Sequence, residues 1–193
     1  MRTLWLWLSI TAFAFLPFSS SAQPSFPDRY DAAIERAVKK WWGDFPDPLF
    51  WKAQLWQESR LDPAAVSPVG AAGVAQFMPG TWSDVTRRLG IPRGVSPHEA
   101  KFAIDAGAYY MATLRRQWHA ERPEIDRHRL AQASYNAGLG NIVKAQRACG
   151  GARHWPDIAP CLVQVTGRHS KETLDYVRLI EHWRGRMAER GER

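Results

Sequence analysis

The chain has 193 residues, enough for one sizeable core and too few for two comfortable domains. Hydrophobic residues make up 45% and charged residues 23%, the balance of an ordinary soluble globular protein rather than a disordered or fibrous one. The net charge is +7, and the chain carries ten Trp. Trp offers flat platforms for sugar rings or bases, although most Trp residues serve core packing.

Residues 1–22 read as a secretory signal. Arg2 gives a positive start, and Leu4 to Phe18 is an apolar run broken only by Ser9, Thr11 and Pro17. Ser20-Ser21-Ala22 supplies small residues for cleavage before Gln23. The run is short for a membrane span, which needs about 20 residues. Retention as an uncleaved anchor stays open as an alternative. Export to the periplasm is the expected location. Removal of Arg2 with the signal leaves 7 − 1 = +6. A basic exported protein suits an anionic polymer such as bacterial cell wall, and export argues against nucleic acid as a partner. The Arg-rich end from Arg184 to Arg193, which includes the basic tail, residues 188–193, is expected to do no more than solvate helix faces.

Gln23 to Pro27 reads as a flexible lead-in. Tyr30 to Trp42 reads as a helix with Ile34, Val38 and Trp41 on one side, and Gly43 ends it. These segments form an N-terminal unit over residues 23–44. Asp47 is an N-cap with Pro48 at the first helical position, opening a helix that runs to about Ser59. Trp51, Leu55 and Glu58 fall at i, i+4 and i+7, so an acid stands at the end of an apolar stripe. Burial there raises a carboxyl pKa and keeps the proton on near neutral pH, which a general acid needs.

Residues 60–80 carry four Gly or Pro breaks before Met78 and read as an ordered loop region. Thr81 to Asp84 has capping-box character and is expected to start a short helix ending at Gly90. Ser96-Pro97-His98-Glu99 is a fuller box opening the longest helix, to about Ala120, with Phe102, Ala106, Tyr109, Tyr110, Leu114 and Trp118 as its apolar face. Asp126 is expected to cap the next helix, which holds Leu130, Ala133, Ser134 and Ala137. A short helix to about Ala148 follows. Gly150 to Gly167 reads as loop, and the last helix runs from about Ser170 to Met187 with Tyr176, Ile180, Trp183 and Met187 on one stripe.

Two Cys, Cys149 and Cys161, in an exported chain favour a disulfide. The six His show no ligand spacing, so neither a metal nor another cofactor is expected. No convincing β-alternation appears, and the class is mostly α.

Four local features recur in order: Glu58-Ser59; Gly73-Val74-Ala75-Gln76-Phe77-Met78-Pro79; Ser134-Tyr135-Asn136-Ala137-Gly138; and Glu172-Thr173-Leu174-Asp175-Tyr176-Val177. Together they resemble the SLT family of lytic transglycosylases over roughly residues 45–185. The resemblance implies a single lysozyme-like helical domain of the goose type, residues 45–187, with an irregular active-site loop region. It implies Glu58 as the one catalytic acid and base, with Ser59 supporting the helix end. Gln76, Tyr135, Asn136, Tyr176 and Ser67 are implied as substrate-binding residues around the cleft. The Gly-Leu-Met-Gln form of the second motif is replaced here by Gly73-Val74-Ala75-Gln76, and Ser134 replaces an Ala. The implied reaction cleaves between N-acetylmuramic acid and N-acetylglucosamine and leaves 1,6-anhydromuramoyl ends. Implied partners are peptidoglycan glycan strands, with cell-envelope machinery as a further class and a monomer as the expected state.

Most glycosidases pair two carboxylates. Asp62 precedes Pro63 and reads as a turn residue, and Asp84 reads as a cap. A lysozyme-type hydrolase using one of them is the alternative. A wall-binding accessory factor on the same fold is a third reading.

Overall fold

The computed structural model describes residues 25–192. The signal segment and its cleavage point lie outside the described residues. Helices carry the whole architecture, and the described residues contain no strand, only the isolated antiparallel bridges Val66–Ala72 and Ala72–Phe77 in the loop region. The order is α1 Asp31–Trp41, α2 Pro48–Ser59, α3 Pro79–Leu89, α4 Ala100–Gln117, α5 Glu124–Ala137, α6 Leu139–Ala148, α7 Trp155–Ile158, α8 Leu162–Thr166 and α9 Ser170–Glu189.

Helix α2 forms where its capping residues demand. The Asp47 carboxylate accepts from the Leu49 and Phe50 amides at 3.0 and 3.3 Å, and Pro48 occupies the first turn, where an amide proton has no helical partner. Its residues from Phe50 to Trp56 are all buried, so α2 is a central helix, packed on α1 and along α9. Helix α4 comes close to it at Gly107, where a Cβ would stand 2.6 Å from the Trp51 indole. The indole N–H of Trp51 donates to the Ile104 carbonyl at 3.2 Å. A small residue at Gly107 therefore lets the stripe that ends in Glu58 seat against α4.

Helix α2 stops abruptly. Arg60 and Leu61 both adopt left-handed backbone, at φ 58° and 62°. Such conformations cost about 1 kcal/mol or more per non-glycine residue and need outside support. Leu61 is fully buried, and the Arg29 guanidinium donates to its carbonyl at 2.8 Å. The Arg60 guanidinium lies 5.0 Å from the ring centres of both Trp56 and Trp183. The break thus falls before Asp62-Pro63, at residues held left-handed by tertiary contacts.

Several expectations need correction. Phe26 is no flexible lead-in: it packs edge-on to Trp56 at 5.1 Å. Helix α3 begins at Pro79, not at the Thr81 box, because Pro79 already has the fixed φ of a first turn, and Asp84 instead pairs with Arg87. The Ser96 box does form, with the Ser96 amide donating to Glu99 at 3.1 Å and the His98 amide to Ser96 at 3.2 Å. It closes a turn ahead of α4 rather than its first helical turn. Asp126 sits inside α5, buried, between Arg129 at 3.2 Å and His154 at 3.0 Å. The segment after Gly150 is largely helical, as α7, α8 and short 3-10 turns. Cys149 and Cys161 are joined, with Cα atoms 5.8 Å apart, tying the end of α6 to that segment.

The last residues do more than solvate. Arg184 pairs with Asp47 at 2.9 Å, and Glu192 joins Asp31 on the buried ammonium of Lys52, with Asp31 at 2.8 Å. Desolvation of a lysine is acceptable only with such partners. All eight described Trp are buried or partly buried, so the Trp richness supports packing.

Candidate active site

Glu58 stands in the last turn of α2, one residue before its end. The residue as a whole is partly buried. Around the carboxyl the packing is close, and burial pushes its pKa from 4.5 up to about 8. The Tyr176 hydroxyl donates to Glu58 Oε1 and opposes part of that rise. Burial is the larger cause, so the acid keeps its proton at neutral pH.

Tyr176 comes from α9 and is buried. Tyr135 comes from α5, and its hydroxyl donates to the Ala75 carbonyl at 2.7 Å. Both phenols are held well above their ordinary pKa, first by burial and then by the nearby Glu58 charge. Tyr135 also stands 5.3 Å from the Tyr110 ring. Two neutral phenols from two helices therefore wall the acid.

The loop 61–78 supplies the remaining wall. Ser59 Oγ donates to the Val74 carbonyl at 2.9 Å, which ties the loop to the helix end. Gly73 must be glycine: its φ is 75°, and a Cβ would stand 1.9 Å from the Pro97 carbonyl oxygen. Gln76 has a φ of 45°, and its amide nitrogen donates to Gly73 at 2.9 Å and Ala65 at 3.3 Å. Its donor side thus braces the loop. Ser67 does the same, with Oγ accepting from the Ala71 amide at 2.9 Å. Neither side chain is hydrogen-bonded to Glu58.

Asn136 faces α9 through its amide. Its oxygen accepts from Thr173 at 2.7 Å, and its nitrogen reaches Glu172 at 3.5 Å. The same face forms an open hollow of about 370 Å³ with Asn141, Thr166 and His169. Thr173 and Tyr176 are three residues apart on α9, so α5 and α9 set Asn136 and Tyr176 as a unit.

The second-carboxylate candidates are occupied elsewhere. Asp62 accepts from the Ala64 amide at 2.9 Å in a turn, and Asp84 is exposed beside Arg87. No carboxylate is among the causes of the Glu58 shift. Among the described residues no group of three or more His, Cys, Asp or Glu could hold a metal ion.

Two groups escaped the sequence. Thr173 fixes Asn136 and lies in the Glu172 motif, one turn before Tyr176. Gln54 is fully buried on α2, four residues before Glu58. The same i, i+4 spacing that linked Trp51 to Leu55 puts Gln54 on the face of Glu58.

The model of the transglycosylase SLT domain matches residues 47–158. The chain belongs to the transglycosylase SLT family. Over 149 residues this SLT domain is 33% identical to the membrane-bound lytic murein transglycosylase F of Alcanivorax borkumensis, covering 75% of the chain and 29% of that protein. Over 89 residues it is 35% identical to the soluble lytic murein transglycosylase of Salmonella typhimurium, covering 45% of the chain and 13% of that protein. Among solved structures, an inactive mutant of the lytic transglycosylase Slt from Pseudomonas aeruginosa superposes with a TM-score of 0.65 at 26% identity, over 82% of the SLT domain chain and 24% of that one. The 70 kDa soluble lytic transglycosylase of Escherichia coli shares the fold, with a TM-score of 0.63 at 23% identity over 86% of this chain and 25% of that one. The chain spans less than a third of the length of these relatives. The mostly helical lysozyme-like class expected from the four motifs is the observed one.

Proposed function

We propose that the protein is a peptidoglycan lytic transglycosylase in which Glu58 acts alone, first as acid and then as base. The observation that carries this reading is a carboxyl kept protonated by burial, held on one oxygen by Tyr176, with no second carboxylate recruited. Glu58 protonates the glycosidic oxygen as the bond from that oxygen to C1 of N-acetylmuramic acid breaks. N-acetylglucosamine leaves with the proton. The muramoyl C6 hydroxyl then bonds to C1 and gives its proton to Glu58, which regenerates the acid and leaves a 1,6-anhydro ring. The nucleophile belongs to the substrate and is already close, so the protein need not supply one.

Tyr176 and Tyr135 act as neutral walls of the cleft, and Asn136 presents its amide edge to sugar. Gln76 and Ser67 serve chiefly by shaping the loop, a narrower role than direct sugar contact, since their polar atoms brace backbone. The relatives support the substrate class: they are lytic murein transglycosylases. The Cys149–Cys161 disulfide supports export to an oxidising compartment, the periplasm. Among the described residues no helix is long and apolar enough to cross a membrane.

Mass spectrometry of digested cell wall tests the reaction. Anhydromuramoyl ends, one water lighter than hydrolysed ends, are expected, and Glu58→Gln lowers their release by about 10² or more. Dominant reducing muramic acid ends would instead favour a lysozyme-type hydrolase.

A further inference from the structure

Behind the acid lies a polar group that the reaction as written does not use. Gln54 is fully buried on α2 between the apolar Ala53 and Leu55. It precedes Glu58 by four residues, so the two side chains share one helix face. Neither its amide oxygen nor its nitrogen completes a hydrogen bond among the described residues. A buried, unpaired amide costs about 1–3 kcal/mol, so its presence calls for an explanation.

Tyr176 supplies one. Its hydroxyl, arriving from α9, donates its single proton to Glu58 Oε1. The phenol oxygen is then left as an acceptor, and the Gln54 amide approaches it as a donor, drawing the phenol pKa down against burial and the Glu58 charge. The contact falls short of a completed hydrogen bond.

We infer that Gln54 is a positioning residue: its amide N–H donates to the Tyr176 oxygen and so fixes the direction in which the Tyr176 hydroxyl points. A phenol can donate to a carboxyl or accept from it. With its lone pair engaged by Gln54, Tyr176 donates. Glu58 Oε1 is then an acceptor, and the acid proton resides on the other oxygen, which is the one left for substrate. The chain Gln54 to Tyr176 to Glu58 sets which carboxyl oxygen is the acid. This inference rests on Glu58 being the general acid.

The other titratable groups facing Glu58 are Tyr135 from α5, with Tyr110 of α4 behind it, and both are held above their ordinary pKa. Arg60, at the helix end, is stacked over Trp56 and Trp183. The three phenols are all raised, so Glu58 gives up its proton ahead of them as pH rises.

The test is the pH profile of anhydromuropeptide release by Gln54→Met, Tyr176→Phe, the double variant and Glu58→Gln. Gln54→Met keeps the volume and removes the donor. Tyr176 then donates more weakly to the Glu58 carboxylate, the acid holds its proton to higher pH, and the alkaline limb moves up by about half a pH unit, from a loss of about a fifth to a third of one charge-assisted hydrogen bond. In the Tyr176→Phe background the same substitution moves the limb no further, because the two act in series. An unmoved limb in Gln54→Met overturns the inference, and so does a shift that persists without the Tyr176 hydroxyl. If Glu58→Gln is inactive and the limb is unmoved, only the role of Gln54 fails; if Glu58→Gln is active, the assignment of the acid fails first. Should Gln54→Met not fold, the side-chain amide protons of Gln54 in the unsubstituted protein are followed by NMR. They are expected to titrate at the midpoint of Glu58, and a flat response overturns the inference.

Discussion

Replacing Glu58 by Gln is expected to make the protein more stable while it abolishes activity, and the gain depends on pH. In the unfolded chain the carboxyl ionises near 4.5, and in the folded protein burial delays ionisation to about 8. The folded pKa is raised, so the contribution of Glu58 to stability is full below about pH 4.5 and is lost as pH rises toward about 8. The gap to pH 7 is 7 − 4.5, about 2.5 pH units, and each is worth about 1.4 kcal/mol, which sets a ceiling of about 3 kcal/mol. The residue is only partly buried, so solvent screens part of that. Gln is neutral at every pH, nearly the same size as protonated Glu, and still able to accept from Tyr176. Urea unfolding of both proteins at pH 4.5, 6 and 7.5 reads the difference directly. The two curves should nearly coincide at the lowest pH and separate progressively, with Glu58→Gln the more stable. Parallel pH dependences would refute the argument, because they would mean that Glu58 ionises in the folded protein as it does in water.

Three further outcomes follow from contacts described above. Gly73→Ala is expected to lower stability by about 2 kcal/mol or more, because a Cβ meets the Pro97 carbonyl and the left-handed φ penalises any side chain; the urea midpoint checks this. Tyr135→Phe leaves the Ala75 carbonyl without its donor and should cost about 1–2 kcal/mol, measured by the same unfolding curve. Replacing Cys149 and Cys161 together by Ser removes a cross-link across 12 residues and should cost up to about 3 kcal/mol, and a reductant should then lower the Tm of the natural protein but not of the double variant.

How far the sequence could be read depended on whether the decisive interactions were local. Asp47 and Pro48 announce α2 because capping acts over three residues, and the stripe from Trp51 to Glu58 follows from helix geometry alone. Asp126 misleads for the opposite reason. It looks like a cap, yet its partner His154 lies 28 residues away and draws it inside α5. The stretch from Trp155 to Thr166 looks like loop because Pro156 and Pro160 punctuate it and glycines flank it, whereas Pro at the first positions of short helices is compatible with helix. Gln76 and Ser67 were expected to face sugar, and only the folded loop reveals how much of their hydrogen bonding goes to backbone. Gln54 stands at the right spacing, but nothing in the sequence tells a buried Gln from an exposed one.

The left-handed pair at Arg60 and Leu61 has a consequence for the order of assembly. Nothing in the local sequence stops α2 at Ser59, and a chain still lacking its core is free to continue the helix toward Asp62. The turn becomes favourable only after Leu61 is buried, Arg29 reaches its carbonyl, and Arg60 lies between Trp56 and Trp183. Two of those groups belong to segments far away along the chain. The setting of Glu58 is therefore completed late in folding, after α9 has docked. A refolding chain should recover its helical signal before it recovers an acid that holds its proton at neutral pH.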